Sequence, residues 1–294
     1  MKTVRYIILM TAAVALAACS HDVHDFDGDE TTGYLAAHLV WEQAEDINTH
    51  VNYLHIAVDG THRLTADFST KEEVATWLQQ LPVGDYDVLV TADMSAADGY
   101  QLTDDGAVSV SNPSASPSQA WFAMDHVTLR HDQITTANLT LQRLMASLSV
   151  TVRNVPDDVS LTVSACHVAA SVALNQRDGS GRLGLPAEST LSVNVPCSAN
   201  MSLTRAATQA TGWHRLLPTA SGQSRSLVEI LCTHPDGRQV LCMCDFPRME
   251  SGHSYEVAVN YSDLRPYMYF EWYRINDWTE SAVINSEVPM PDEE

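Results

Sequence analysis

Lysine is almost missing from this chain. Lys2 and Lys71 are the only two in 294 residues, so the 16 basic side chains are nearly all arginine. Acidic side chains number 37, giving a formal charge of -21. A field of that sign repels phosphate backbones and anionic headgroups, which excludes nucleic acid as a partner. Catalytic frames are missing too. Twelve histidines are present, yet none stands in a nucleophile elbow or an HExxH helix. Asp85 with Asp87, and Asp104 with Asp105, are turn and strand-surface acids by position rather than an acid/base pair. The residues therefore predict no enzyme and imply no cofactor. A chain of this size buries a core without needing disulfides.

What is present begins at the N-terminus. Lys2 and Arg5 precede an uncharged apolar run from Tyr6 to Val14, the layout of a secretory signal peptide. That run falls short of the roughly 20 apolar residues of a membrane-spanning helix. Leu16-Ala17-Ala18-Cys19 follows and resembles the bacterial lipobox, in which the cysteine is acylated and the chain is cut just before it. Residues 1–18 are thus expected to be a lipoprotein signal peptide, and Cys19 the lipid attachment site in the outer membrane. The competing reading is an ordinary secreted protein with a chance cysteine at the cleavage point. Six cysteines less a lipidated one leave five, so at least one thiol is free or pairs between molecules. Residues 19–30 are acidic. Asp25, Asp27 and Asp29 alternate like calcium-loop ligands, but the glycine stands fourth and Ala36 occupies the twelfth position, where an EF-hand needs glutamate. A solvated acidic tether is the better reading, and it resembles the acidic export signal that sends some lipoproteins to the outer surface of the outer membrane.

Beyond the tether the pattern is that of strands. Leu54, Ile56 and Val58 alternate with polar neighbours before an Asp59-Gly60 turn, and Tyr86, Val88, Val90 and Ala92 form a second such face. Between them, Thr70 and Glu73 make a capping box, and Val74, Trp77, Leu78 and Leu81 follow at helical spacing until Pro82 and Gly84. Residues 95–119 read as a long Ser/Pro/Gly-rich loop with one short strand at Ala107–Val110. From Val127 onward alternating segments separated by turns recur about every ten residues, with no helical stretch. The fold class is mainly β: two β-sandwiches in tandem, residues 31–144 and 145–294, with one short helix in the first. Each half is expected to fold alone.

Two clusters invite chemistry. Cys232, His234, Cys242 and Cys244 surround a Pro235-Asp236-Gly237 turn. Pairing about that glycine brings Cys232 near Cys242, while Cys242-x-Cys244 puts both thiols on one strand face, which is wrong for a zinc knuckle. No metal is expected. Cys232, Cys242 and Cys244 form a disulfide or a cluster of buried thiols. The aromatic run Tyr267, Tyr269, Phe270, Trp272, Tyr273 and Trp278 either stacks on sugar rings or places Tyr267, Tyr269 and Tyr273 in the core, and the core reading is favoured.

Three stretches, taken together, resemble the FimB/Mfa-type anchor and accessory subunits of type V fimbriae. They are Leu81-Pro82-Val83-Gly84-Asp85-Tyr86, the strand–linker–strand Leu139 to Val150 with Arg143 at its centre, and Ile275-Asn276-Asp277-Trp278-Thr279. The resemblance implies two transthyretin-like sandwiches on a lipid tether, and other fimbrial subunits as partners joined by strand addition. Stalk subunits of such pili are cut after an arginine near the start of the first domain, which removes the first strand. Here no Lys or Arg lies between Cys19 and Arg63, so the resemblance implies an anchor or assembly terminator that keeps its first strand. The alternative is a surface lipoprotein that binds a host glycan or protein.

Overall fold

The computed structural model describes residues 31–42, 52–103, 105–199, 213–269, 276–277 and 284–285. The chain is mainly β, and its strands enclose two hydrophobic cores.

The first core lies inside one seven-stranded sheet folded over on itself. One layer holds β1 (Thr32–Trp41) between β4 (Leu78–Pro82), antiparallel, and β9 (Ile134–Arg143), parallel. The other layer runs β3 (Leu64–Phe68), β2 (Leu54–Gly60), β5 (Gly84–Ala92) and β8 (Trp121–Leu129), all antiparallel. Among the described residues the layers pair where β8 meets β9, Trp121 opposite Arg143 and Phe122 opposite Gln142. Leu35, Ile56, Val88, Leu139 and Leu141 fill the space between, and all are fully buried.

The outer faces of the two layers differ in charge. On one, Asp59, Asp87 and His126 stand side by side across β2, β5 and β8, with Asp85 opposite Thr128 one row away. Arg63 pairs with Asp59 at 2.6 Å and the His126 ring with Asp87 at 2.8 Å, which relieves two carboxylates set directly opposite each other. On the other layer the outward positions of β1 are Tyr34, Ala36, His38 and Val40. Those of β4 are Leu78 and Gln80, and those of β9 are Ile134, Thr136, Asn138 and Thr140. No Asp, Glu, Lys or Arg stands among them.

The second core lies between two further layers. The first centres on β10 (Ala146–Arg153), flanked by β15 (Cys197–Ala199), β16 (His214–Leu216) and β19 (His253–Asn260). The short β21 (Asn276–Asp277) and β22 (Ile284–Asn285) pair with β19. The second runs β14 (Thr190–Asn194), β11 (Ser160–Ala169), β17 (Arg225–Thr233), β18 (Gln239–Pro247) and β20 (Tyr267–Tyr269). A four-stranded sheet links the halves: β6 (Tyr100–Leu102) and β7 (Ala107–Val110) pair with β12 (Val172–Arg177) and β13 (Leu183–Pro186). Tyr100, Val108 and Phe122, all from before residue 144, sit in the second core.

Several expectations change. The helix α1 is confined to Lys71–Thr76 rather than running on through Leu81. The cap forms as read, with Glu73 N–H donating to Thr70 Oγ1 at 3.2 Å, and Ser69 N–H to Glu73 Oε2 at 2.7 Å. Leu78 to Pro82, however, pair with β1. Edge pairing with a strand that needs a partner outweighs a helical preference worth tenths of a kcal/mol per residue. The long loop holds a hairpin, β6–β7, rather than a single strand. Because β7 pairs with β12, Val108 opposite Val172, a sheet spans the boundary at Leu144, and independent folding of the halves does not follow from this architecture.

The turn before β5 explains the Leu81–Tyr86 motif. Leu81 and Tyr86 are buried, and the Tyr86 hydroxyl donates to the Pro82 carbonyl at 3.0 Å, pinning the corner where the chain changes layer. Gly84 has φ +154°, and a Cβ there would lie 2.3 Å from Thr61 Oγ1. Only glycine fits that crossing.

Candidate functional site: the slot of the first strand

Because the resemblance implies partners joined by strand addition, the place to inspect is where the chain's own first strand sits. β1 alternates Leu35, Ala37 and Trp41 inward against Tyr34, Ala36 and His38 outward, a period of two that fixes its register. It is bonded on both sides: eight residue pairs with β9, from Tyr34–Ile134 to Trp41–Leu141, and five with β4, from Thr32–Pro82 to Ala36–Leu78. Leu35 is 0% exposed and Trp41 7%. Near its start the strand passes so close to the β8–β9 turn that a Cβ on Gly33 would meet the Arg130 carbonyl oxygen at 2.4 Å. Val74 of α1 adds to the same core. β1 is a central strand of its layer.

Arg63, the first Lys or Arg after Arg5, lies in the exposed turn between β2 and β3. Its guanidinium forks onto the Asp59 carboxylate, Nε to Oδ1 at 2.6 Å and Nη2 to Oδ2 at 3.1 Å. Cys19 and residues 19–30 lie outside the described residues, as do Asp104, Phe270, Trp272, Tyr273 and Trp278 and the side chain of Tyr269.

Three of the five described cysteines stand on one hairpin. The turn between β17 and β18 puts Cys232 opposite Val240 and Cys242 opposite Ile230. Cys232, Cys242 and Cys244 are buried, and every described cysteine is a free thiol. Cys242 is thus the diagonal neighbour of Cys232, at roughly 7–8 Å between Cα atoms for such a pair, beyond the span a disulfide tolerates without backbone movement. Both thiols face the same core. Burial, then the neighbouring Cys242, push Cys232 up to about 11. Burial likewise pushes Cys244 up to about 12. His234 caps the turn away from them, its Nε2 3.3 Å from Arg238 Nη2. Among the described residues no group of three or more His, Cys, Asp or Glu is placed to hold a metal ion.

Tyr267 departs from the expectation that it lines the core. It is 58% exposed, and its hydroxyl donates to Asp245 Oδ2 at 3.1 Å. A contact that sequence reasoning missed joins the two halves. His214, 1% exposed, bonds through Nε2 to the Pro113 carbonyl at 2.8 Å. Arg215 N–H donates to Ser116 Oγ at 3.1 Å and its Nη1 to the Pro117 carbonyl at 3.3 Å. Burial lowers the His214 pKa. The only available signal was the Ser/Pro-rich composition of residues 111–118, which says loop and nothing about what it touches.

Comparison with known proteins adds what geometry cannot. No curated protein sequence matches the chain. Among solved structures, the chain is similar to the fimbrial anchor protein Mfa2 from Porphyromonas gingivalis, with TM-score 0.49 and 12% identity over 76% of this chain and 90% of that one. It is similar to a candidate cell adhesion protein from Parabacteroides distasonis, with TM-score 0.46 and 11% identity over 79% and 92%. A candidate polysaccharide-binding protein from Bacteroides thetaiotaomicron gives 0.47 and 12% over 77% and 90%. The family model of the fimbrillin-A associated anchor proteins Mfa1 and Mfa2 matches residues 48–280, most of the chain, and the chain belongs to that family.

Proposed function

We propose that this chain is the lipid-anchored base of a surface fimbria and that it ends the polymer at the outer membrane. Its family makes it a fimbrial or adhesin subunit; the anchor role, the lipid and the terminator role are our reading. The supporting observation is β1, bonded on both edges with its apolar side in the first core. A stalk subunit gives up its first strand to expose a groove for a neighbour. Here an arginine-specific protease meets no Lys or Arg between Cys19 and Arg63, and a cut after Arg63 would sever β1 and β2 together. Cys19 carries the lipid, residues 19–30 act as an acidic tether, and the sandwiches meet near Leu144. Partner subunits join by strand addition at an edge other than the β1 slot. Nothing in this reading requires catalysis.

The test is N-terminal sequencing and lipid analysis of the protein taken from cells. The expected product begins at Cys19 and is acylated, and Cys19→Ser is released from membranes with its fold intact. A cellular form that begins well downstream of Cys19 and lacks lipid sinks the anchor reading.

A further inference from the structure

The uncharged outer face of β4, β1 and β9 is unusual on a molecule of charge -21. Three of its apolar side chains are well exposed: Ile134 at 65%, Leu78 at 50% and Val40 at 41%. Register sets the rest of the surface. Gln80, Tyr34 and Ile134 stand in one row, Leu78, Ala36 and Thr136 in the next, and His38 beside Asn138 in a third. Ala36 is the smallest residue on the face and lies between Tyr34 and His38 on the same strand. Those two rings rise from backbone positions about 13 Å apart, at roughly 3.3 Å per residue. The small side chain of Ala36 leaves a shallow trough in this face, bordered along the strand by the larger Tyr34 and His38 and across the sheet by Leu78 and Thr136. The Gln80 amide is already held at the rim, donating to Thr32 Oγ1 at 2.7 Å.

The geometry points to this trough as a binding site for a neutral oligosaccharide. A pyranose presents C–H faces that stack on aromatic rings and hydroxyls that pair with amides and hydroxyls, and carries no charge. Charge selects the ligand further: the acidic row on the opposite layer, and the acidic chain as a whole, repel sialylated or sulfated glycans. Area argues against a second copy of this chain. Three strands about 4.8 Å apart and some 20 Å of β1 make roughly 300 Å², well below the roughly 800 Å² per partner of a stable protein interface. Three or four sugar rings cover it. The inference stands apart from the anchor reading, since a tethered subunit and a released one would both present this face.

The experiment titrates the full mature chain with neutral linear hexasaccharides of glucose, mannose and N-acetylglucosamine, and with a sialylated hexasaccharide as the anionic probe. At least one neutral probe binds with a Kd of about 0.1–1 mM, ordinary for a shallow site, and the sialylated one does not bind. Ala36→Ile fills the trough with a residue that suits a strand, and Tyr34→Ser removes a wall. Each weakens binding by about tenfold or more, while Thr140→Ala, off the trough, leaves it unchanged. Thermal midpoints separate lost binding from lost fold, and Ala36→Ile is the variant expected to keep the wild-type value. The proposal is overturned if no neutral probe binds at about 5 mM, or if Ala36→Ile binds as the wild type does. It is overturned equally if sedimentation shows self-association that Ala36→Ile abolishes.

Discussion

Replacing Leu35 by alanine tests whether β1 is as integral as its pairing implies. Leu35 is 0% exposed at the middle of the first core, and its strand is held by β9 on one edge and β4 on the other. Three methylene-sized groups at about 0.8 kcal/mol each give a floor near 2.4 kcal/mol. The cavity adds to that, because a strand bonded on both sides cannot slide to close it; the observed range for such changes is about 2–5 kcal/mol. We expect about 3–4 kcal/mol, which at roughly 2–4 °C per kcal/mol lowers the midpoint by about 6–16 °C. Trp41 and Trp121 share this core and report its unfolding by fluorescence in a urea titration. Ile134→Ala, on the same layer but 65% exposed, is the control and should shift stability by about 0.5 kcal/mol or less. A Leu35→Ala loss below about 1 kcal/mol, matched by the control, would mean that β1 is dispensable, and the anchor reading would lose its main support.

Other outcomes follow from single contacts. Tyr86→Phe leaves the Pro82 carbonyl without its 3.0 Å donor and should cost about 1–3 kcal/mol in the same titration. Burial lowers the His214 pKa in the folded chain, so its contribution is fully present above the unfolded value of about 6.5 and is lost below it at up to about 1.4 kcal/mol per pH unit; stability measured from pH 7.5 down to 5 should fall more steeply in the wild type than in His214→Gln. With Cys232 pushed up to about 11, only about a thousandth of it is thiolate at pH 8, and reaction follows the thiolate. Alkylation of the native chain should therefore label Cys166 and Cys197, both half-buried, well before Cys232, Cys242 or Cys244. Residues 145–294 expressed alone should bind a hydrophobic dye and lack a cooperative transition, since Tyr100, Val108 and Phe122 are missing from their core.

What could be read from the sequence was what depends on period and local chemistry. Alternation along Leu54–Val58, Tyr86–Ala92 and Ala146–Val152 gave strands with the correct inward faces, because burying one face of a sheet forces a period of two. The Pro235-Asp236-Gly237 turn gave the thiol hairpin for a similar local reason. The misreadings came where a distant partner decided the outcome. Leu78 and Leu81 have helical spacing, yet β1 needs an edge and takes both into β4. Tyr100–Leu102 has no pattern of its own and becomes a strand only because β7 lies beside it. Tyr267 looks like a core aromatic in an alternating run, but its strand is the last of a layer, and the side chain turns to Asp245 and solvent. Outward charge was visible residue by residue. That one layer gathers the acids and the other has none depends on the strand order, which alternation does not reveal.

The segment from Met94 to Phe122 ties the two cores together across the linker. Met94, Tyr100, Val108, Ala120 and Phe122 all belong to the second core, although the strands before and after them build the first. Trp121 and Phe122 divide the matter in one step of β8: the first side chain points into the first core and the second into the other. A strand whose alternate faces serve different cores cannot lose one without exposing the other. The His214–Pro113 and Arg215–Pro117 bonds fasten the same segment a second time. The two halves are thus coupled through packed side chains and through the separate β6–β7–β12–β13 sheet, as well as through the covalent link at Leu144.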